Sequence, residues 1–138
     1  MKKLLLLFSL TLGLSISMLA QGPLYKEMKA LLKSEGYTIS EEYYSDLAEG
    51  ASFYNTKMFY TDNHYLIVAL SDDADVQDVD LYLYEEDGSE YEKDTDTDAM
   101  AVIHFEPVVG RTMKMSVKNY DSDTPNYESR CWLIVAFK

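Results

Sequence analysis

The sequence is poor in residues that fix a fold covalently: its 138 residues include a single cysteine, Cys131, and three prolines. One cysteine excludes an internal disulfide, so an exported domain of this size has to be held together by packing, a metal or a partner. Cys131 lies in the last apolar run of the chain, which predicts a small buried hydrophobic residue. The alternative is a disulfide to another molecule.

Histidine is also scarce, and this limits the candidates for catalysis. His64 lies in a predicted turn and His104 inside a predicted strand, and neither belongs to a known nucleophile, metal or phosphate motif. The sequence therefore predicts a protein that is not an enzyme and has no catalytic residue. A small secreted hydrolase is an alternative, and it requires either histidine to lie beside a nucleophile in space.

Basic residues are outnumbered, with 12 Lys and Arg against 24 Asp and Glu and a net charge of −12. A chain of this charge is repelled by nucleic acid and by anionic membrane surfaces. Cations, basic proteins and neutral glycans are the partners that remain. We therefore expect an extracellular protein or a glycan as the partner, and no nucleic acid.

Residues 1–20 have the layout of a secretory signal peptide. A basic start, Met1-Lys2-Lys3, precedes the apolar run 4–14, and small residues follow as far as a predicted cleavage site after Ala20. Cleavage would leave 118 residues with a net charge of about −14. The prediction is a secreted or periplasmic protein with no membrane span after cleavage, and an uncleaved N-terminal anchor is the alternative.

The next part of the chain predicts helices. Apolar residues at helical spacing between Pro23 and Glu35 predict a first helix, and Gly36 suits its end. Residues 40–50 predict a second, shorter helix with Ser40 as its cap and Gly50 as its stop. Residues 21–50 are thus expected to form an N-terminal helical segment.

From residue 51 to residue 138 the pattern predicts a β-sandwich domain. The clearest strand is 78–84, where Val79, Leu81 and Leu83 alternate with polar or aromatic residues. Turn signals separate it from further strands, so that roughly seven short strands are expected in an antiparallel sandwich. They are 53–60, 65–70, 78–84, 89–93, 100–105, 112–118 and 131–137.

The same residues resemble the bacterial pre-peptidase C-terminal domain over about residues 47–137. The matching features are Leu47 to Gly50, Asp78 to Tyr84, Asp87-Gly88, Asp94 to Asp98, Val102 to Pro107, Gly110 and Met113 to Val117. The resemblance implies a secreted, jelly-roll-like β-sandwich that is not catalytic and often accompanies a protease, and some relatives hold calcium in acidic loops. Here only the short helical segment precedes the domain, so a stand-alone protein is expected.

Three acidic loops are expected to lie at one end of the sandwich. If each strand reverses the one before it, the loops 71–77, 94–98 and 119–126 emerge together. Calcium takes six to eight oxygen ligands and would relieve the repulsion between their carboxylates. The hypothesis is a calcium site, and simple solvation of the loops is the alternative. The candidate ligands are Asp73, Asp75, Asp78, Asp80, Asp94 and Asp96.

Tyrosine is abundant, with twelve residues. Tyr82, Tyr84 and Tyr91 are predicted to line an outward sheet face with Tyr60 nearby, and exposed aromatic rings bind sugars or peptides through their flat faces. The alternative is that they pair across strands and cover the edge of the core. Together these features predict a secreted binding module, with a structural component of the cell envelope as a further alternative.

Overall fold

A computed structural model describes residues 24–138, and the predicted signal peptide and Pro23 lie outside them. One helix is followed by eight strands. They are α1 (Leu24–Ser34), β1 (Thr38–Leu47), β2 (Ser52–Phe59), β3 (Tyr65–Ser71), β4 (Val76–Tyr84), β5 (Glu90–Asp94), β6 (Met100–Phe105), β7 (Arg111–Ser122) and β8 (Ser129–Phe137).

The strands form two four-stranded sheets with every neighbouring pair antiparallel. Sheet 1 has the order β1-β8-β3-β6 and sheet 2 the order β2-β7-β4-β5. This interleaved order is that of an eight-stranded jelly roll. The predicted fold class, a mainly β jelly-roll-like sandwich with a helix at its N-terminal side, is confirmed.

The core lies between the two sheets and follows the predicted alternation. Val79, Leu81 and Leu83 of β4 are completely buried. Tyr82 and Tyr84, which alternate with them, are partly exposed on the outer face of sheet 2. Cys131 belongs to the same core and is completely buried, as predicted. Burial favours the neutral thiol and raises the pKa of Cys131 to about 12, so the sulfur is protected from disulfide exchange.

The second predicted helix, over residues 40–50, is wrong. Residues 38–47 form β1, which pairs with β8 along the edge of sheet 1 and has a register irregularity between Ile39 and Glu41. The physical reason is that Thr, Ile and Tyr are strand-forming residues, and pairing with β8 satisfies the backbone of both strands. The expected helical segment therefore ends at Ser34, and the chain adds an eighth strand to the sandwich.

Helix α1 covers the outer face of sheet 1. Met28 and Leu32 are buried in a second apolar cluster with Leu66, Val68 and Ile134, so β3 is buried on both of its faces. The side chain of Asp72, in the loop after β3, accepts a 2.7 Å hydrogen bond from the amide of Tyr25 in the first helical turn. The helix is thereby fixed at its N-terminus as well as along its face. No helix within residues 24–138 is long and apolar enough to cross a membrane.

Candidate functional site

The acidic loops meet at one end of the sandwich, which we call the acidic end (residues 72–75, 95–99 and 123–128). The amide of Asp123 donates to the carbonyl of Asp75 over 2.8 Å, which joins the β3–β4 and β7–β8 loops. The amide of Val79 donates to the carbonyl of Asp98 over 2.8 Å, which joins β4 to the β5–β6 loop. Alternating strand direction therefore brings together loops that are far apart in the sequence.

Several candidate carboxylates at the acidic end accept hydrogen bonds from backbone amides. Asp73 accepts from the amide of Asp75 at 2.9 Å, and Asp78 accepts from the amide of Asp98 at 3.3 Å. Asp94 accepts from the amides of Asp96 and Val102 at 3.1 and 2.8 Å. Because Val102 lies in β6, an edge strand of sheet 1, Asp94 ties the two sheets together. These side chains act as loop caps.

The arrangement of these carboxylates does not fit a bound cation well. Within residues 24–138 no group of three or more Asp, Glu, His or Cys side chains is placed to hold a metal ion. Burial, together with neighbouring carboxylates, raises the pKa of Asp78 and of Asp98 above the usual range. Both oxygens of Asp94 and one oxygen each of Asp73 and Asp78 already accept backbone amides, so a calcium ion at this end would compete with part of this network.

A second candidate surface lies on the outer face of sheet 2, and we call it the tyrosine face (Tyr54, Tyr82, Tyr84, Lys114 and Ser116). Tyr54 of β2 and Tyr82 of β4 lie in register on either side of Ser116 in β7. Adjacent strands are about 4.8 Å apart, so the two tyrosines start about 10 Å from each other. Ser116 between them is small and 3% exposed, so the larger side chains around it cover it.

Lys114 links the rings of this face. Its Nζ lies 5.0 Å from the ring centroid of Tyr54 and 5.2 Å from that of Tyr84, which is cation–π distance for both. The Tyr82 and Tyr84 rings are nearly parallel, at 13°, with centroids 6.0 Å apart. The Tyr82 hydroxyl donates to Asp80 at 3.1 Å, and burial and this carboxylate raise the pKa of Tyr82 to about 12. The phenol is therefore a neutral donor held in place.

Tyr91 does not lie on the tyrosine face, in contrast to the prediction. Its ring packs edge-on against the core residue Phe105 at 5.4 Å and lies near Arg111 at 6.0 Å. The cause is a register irregularity in the β4–β5 pairing, where Leu83 faces Glu92 but Tyr84 faces Glu90. This bulge turns Tyr91 towards the gap between the sheets.

Sequence reasoning missed Tyr54 and Lys114 as members of this surface. The alternation of Lys114, Ser116 and Lys118 with buried Met113, Met115 and Val117 placed the lysines on an outward face. It did not give the strand order, and only the pairing of β7 with both β2 and β4 puts Lys114 between two tyrosines.

The two histidines lie away from both surfaces. His64 and Glu106 are in turns at the end opposite the acidic end, with Nδ1 and Oε1 2.8 Å apart and both side chains mostly exposed. Burial lowers the pKa of His104. Within the described chain, neither imidazole makes a hydrogen bond to a serine or threonine hydroxyl, which is the geometry that the hydrolase alternative requires.

The fold is known from other proteins, whereas no family model and no curated protein sequence matches the chain. The pre-peptidase C-terminal domain of a Bacillus anthracis collagenase is similar with a TM-score of 0.52 and 14% identity, over 69% of this chain and 87% of that domain. Aeromonas hydrophila PliG, a periplasmic inhibitor of g-type lysozyme, is similar with a TM-score of 0.51 and 7% identity, over 75% and 90%. The chain thus has the β-sandwich fold of the pre-peptidase C-terminal domain, as the sequence motifs indicated.

Proposed function

We propose that the protein is an exported, non-enzymatic binding module that recognises a glycan through the tyrosine face. The observation that carries the proposal is the position of Lys114 between the rings of Tyr54 and Tyr84, on the outer face of sheet 2. Tyr54 is 58% exposed, so a large part of an aromatic ring is open to a ligand. The predicted signal peptide supports export.

Aromatic rings at fixed positions suit sugars because the C–H groups of a pyranose chair form an apolar face, which packs on the flat face of an aromatic ring while the hydroxyls stay at the edge. The face combines such rings with polar groups at their edges, namely the Lys114 ammonium and the hydroxyls of Tyr54 and Tyr84. Lys114 restrains both rings through cation–π contacts, so part of their entropy is already lost before a ligand binds. A pre-ordered, shallow surface of this kind fits an extended polysaccharide better than a small molecule, which needs a concave pocket.

The test is affinity electrophoresis of the purified protein in gels that contain soluble polysaccharides. The panel includes xylan, a mixed-linkage glucan, galactomannan, polygalacturonate and methyl-esterified pectin. We expect retardation by at least one polymer, and we expect the double variant Tyr54→Ala/Tyr84→Ala to bind it about tenfold more weakly, because each lost ring contact is worth about 0.5–1.5 kcal/mol.

Tyr127→Ala is the matched control, because Tyr127 is also about half exposed, at 54%, but lies in the loop before β8. It should bind the polymer as the unmodified protein does. Absence of retardation by every polymer in the panel, or equal binding by the Tyr54→Ala/Tyr84→Ala variant, would overturn the proposal.

The acidic end supports a second candidate, a basic protein partner. Asp72, Asp96 and Asp123 are exposed there, with Asp121 exposed beside them near the end of β7, and such a concentration of charge steers association with a basic surface. A g-type lysozyme is a suitable probe, because PliG, which has a similar fold, inhibits such an enzyme. The candidate predicts inhibition that weakens with added salt and with Asp121→Asn/Asp123→Asn, and unchanged lysozyme activity would reject it for this probe.

Calcium at the acidic end stays a prediction, with the same six candidate aspartates. If calcium binds there, titration calorimetry should give heat, and the melting temperature should rise as the ion concentration exceeds its Kd. Asp94→Asn should reduce both effects, whereas Asp87→Asn, in the turn after β4, should leave them unchanged. No heat and no shift in melting temperature would remove calcium from the proposed function.

A further inference from the structure

The charge on the tyrosine face is opposite to that of the protein as a whole. Lys114 and Lys118 project from β7 onto this face, and neither makes an ion pair with another residue of the described chain. Each instead lies beside tyrosine rings, Lys118 with its Nζ 5.2 Å from the centroid of Tyr120. The net charge of −12 is therefore unevenly distributed, with two lysines on one sheet face that form no ion pair within residues 24–138.

Among the carboxylates near this face, Asp80 balances part of the charge of Lys118, and none forms an ion pair with Lys114 within the described chain. Asp80 faces Lys118 across the β4–β7 pair, but it is 2% exposed and accepts a hydrogen bond from Tyr82. Glu90 is paired with Lys93 at 3.0 Å. The outward residues of β2 on this side carry no charge, since they are Ser52, Tyr54, Thr56 and Met58. Exposed acids elsewhere are screened beyond about 8 Å at physiological ionic strength.

We propose that the ligand of the tyrosine face is an anionic glycan, a polysaccharide of uronic acid units, whose carboxylates lie against Lys114 and Lys118. The inference rests on the proposed function, because it assumes that sugar rings stack on the tyrosines. The net charge of the chain favours neutral glycans. The inference differs because the charge that a ligand of this face meets is that of the nearby lysines.

The chemistry of a uronate matches the spacing of the groups on this face. Its carboxylate is attached directly to the pyranose ring, so a ring stacked on Tyr54 or Tyr84 carries its charge at a short, fixed distance. The Lys114 ammonium lies about 5 Å from both aromatic centroids, within reach of a carboxylate at the edge of either stacked sugar. Lys118 is four residues further along β7, about 13 Å away, where it can contact a later unit of the same sugar chain.

The decisive experiment compares polygalacturonate with the same polymer after methyl esterification, which removes the charge and keeps the sugar backbone. We expect the purified protein to bind the free acid more tightly, with an affinity that falls as NaCl rises from about 50 to about 500 mM. The double variant Lys114→Gln/Lys118→Gln should bind polygalacturonate about three- to tenfold more weakly, since each exposed ion pair contributes about 0.2–1 kcal/mol. Its affinity for the ester should fall less than its affinity for the acid, because the loss of the ring contacts of Lys114 affects both polymers and the loss of charge affects only the acid.

Lys26→Gln/Lys33→Gln is the matched control, because it removes the same charge from exposed positions on α1. It should bind both polymers as the unmodified protein does. The inference would be overturned if the unmodified protein bound acid and ester equally, or if the Lys114/Lys118 and Lys26/Lys33 variants weakened binding equally. The proposal that the protein binds a glycan would still stand. Retardation by none of the polymers would overturn the proposed function itself, so the two failures are distinguishable.

Discussion

The side-chain amide of Asn119 donates a 3.1 Å hydrogen bond to the main-chain carbonyl of Leu47, which lies 72 positions earlier in the chain. Asn119 is completely buried, and its Oδ1 accepts a 2.9 Å hydrogen bond from the hydroxyl of Ser122. Its backbone bonds to Gly50 and Ala51 as well. One side chain in β7 therefore fixes the connection between β1 and β2 and joins the two sheets at the acidic end.

Replacing Asn119 with alanine should destabilise the fold. The change leaves the Leu47 carbonyl without its buried donor, and an unsatisfied buried polar group costs about 1–3 kcal/mol of unfolding free energy. Urea denaturation followed by circular dichroism should give a lower midpoint with an unchanged slope. Asn126→Ala, at an exposed loop position, should stay within about 0.5 kcal/mol of the unmodified protein. Equal stability of the two variants would contradict this role of Asn119.

Most of the sandwich could be predicted from the sequence because its strands carry strong local signals. Apolar residues at every second position of β4 and β7 are completely buried, and Asp87-Gly88 marks the turn after β4, where Gly88 has φ +88°. β1 was missed because its local signals, a possible Ser40 cap and two glutamates, also suit a helix. Its strand character comes from pairing with β8, which lies more than 80 residues away.

The candidate surfaces were predictable only where strand direction determines them. Alternating direction is enough to gather the acidic loops at one end. The tyrosine face depends on strand order and register, and these arise from packing between distant parts of the chain. Tyr91 illustrates the limit, since a single extra residue in β5 moves its ring from the outer face to the gap between the sheets.

Helix α1 is expected to be an integral part of the fold, because Leu32 is completely buried against the outer face of sheet 1. Leu32→Ala should lower the free energy of unfolding by about 2–5 kcal/mol, the usual cost of truncating a buried leucine. Trp132, the single tryptophan, reports on the same contact because Tyr25 of α1 stacks on it at 3.9 Å. Its emission should shift to longer wavelength in the variant if the helix loosens.

Lys26→Ala is the control for that experiment, since Lys26 lies on the exposed side of the same helix. It should change neither the urea midpoint nor the emission maximum of Trp132. If Leu32→Ala behaves like Lys26→Ala in both measurements, the helix does not contribute to the stability of the sandwich.

Asp80 should destabilise the folded protein at neutral pH. Burial raises its pKa, although the hydrogen bond from Tyr82 and the charge of Lys118 act in the opposite direction. Because the pKa of Asp80 is higher in the folded protein than in the unfolded chain, where it is about 3.9, the protonated carboxyl favours folding. This stability is fully present below about pH 3.9 and is lost as the pH rises through the pKa of the folded protein. Asp80→Asn keeps an acceptor for Tyr82 and removes the charge. It should therefore raise the melting temperature at about pH 7, and the difference from the unmodified protein should shrink towards about pH 3.5.

Asp96→Asn separates this local effect from the general relief of acidic repulsion, because Asp96 is exposed and its side chain accepts no hydrogen bond within the described chain. Both variants reduce the net negative charge equally, so a gain common to both belongs to long-range repulsion. Only the excess gain of Asp80→Asn measures the cost of burying its charge. A lower melting temperature for Asp80→Asn than for Asp96→Asn at neutral pH would mean that the attraction to Lys118 outweighs that cost, and that Asp80 and Lys118 act as a stabilising pair beneath the tyrosine face.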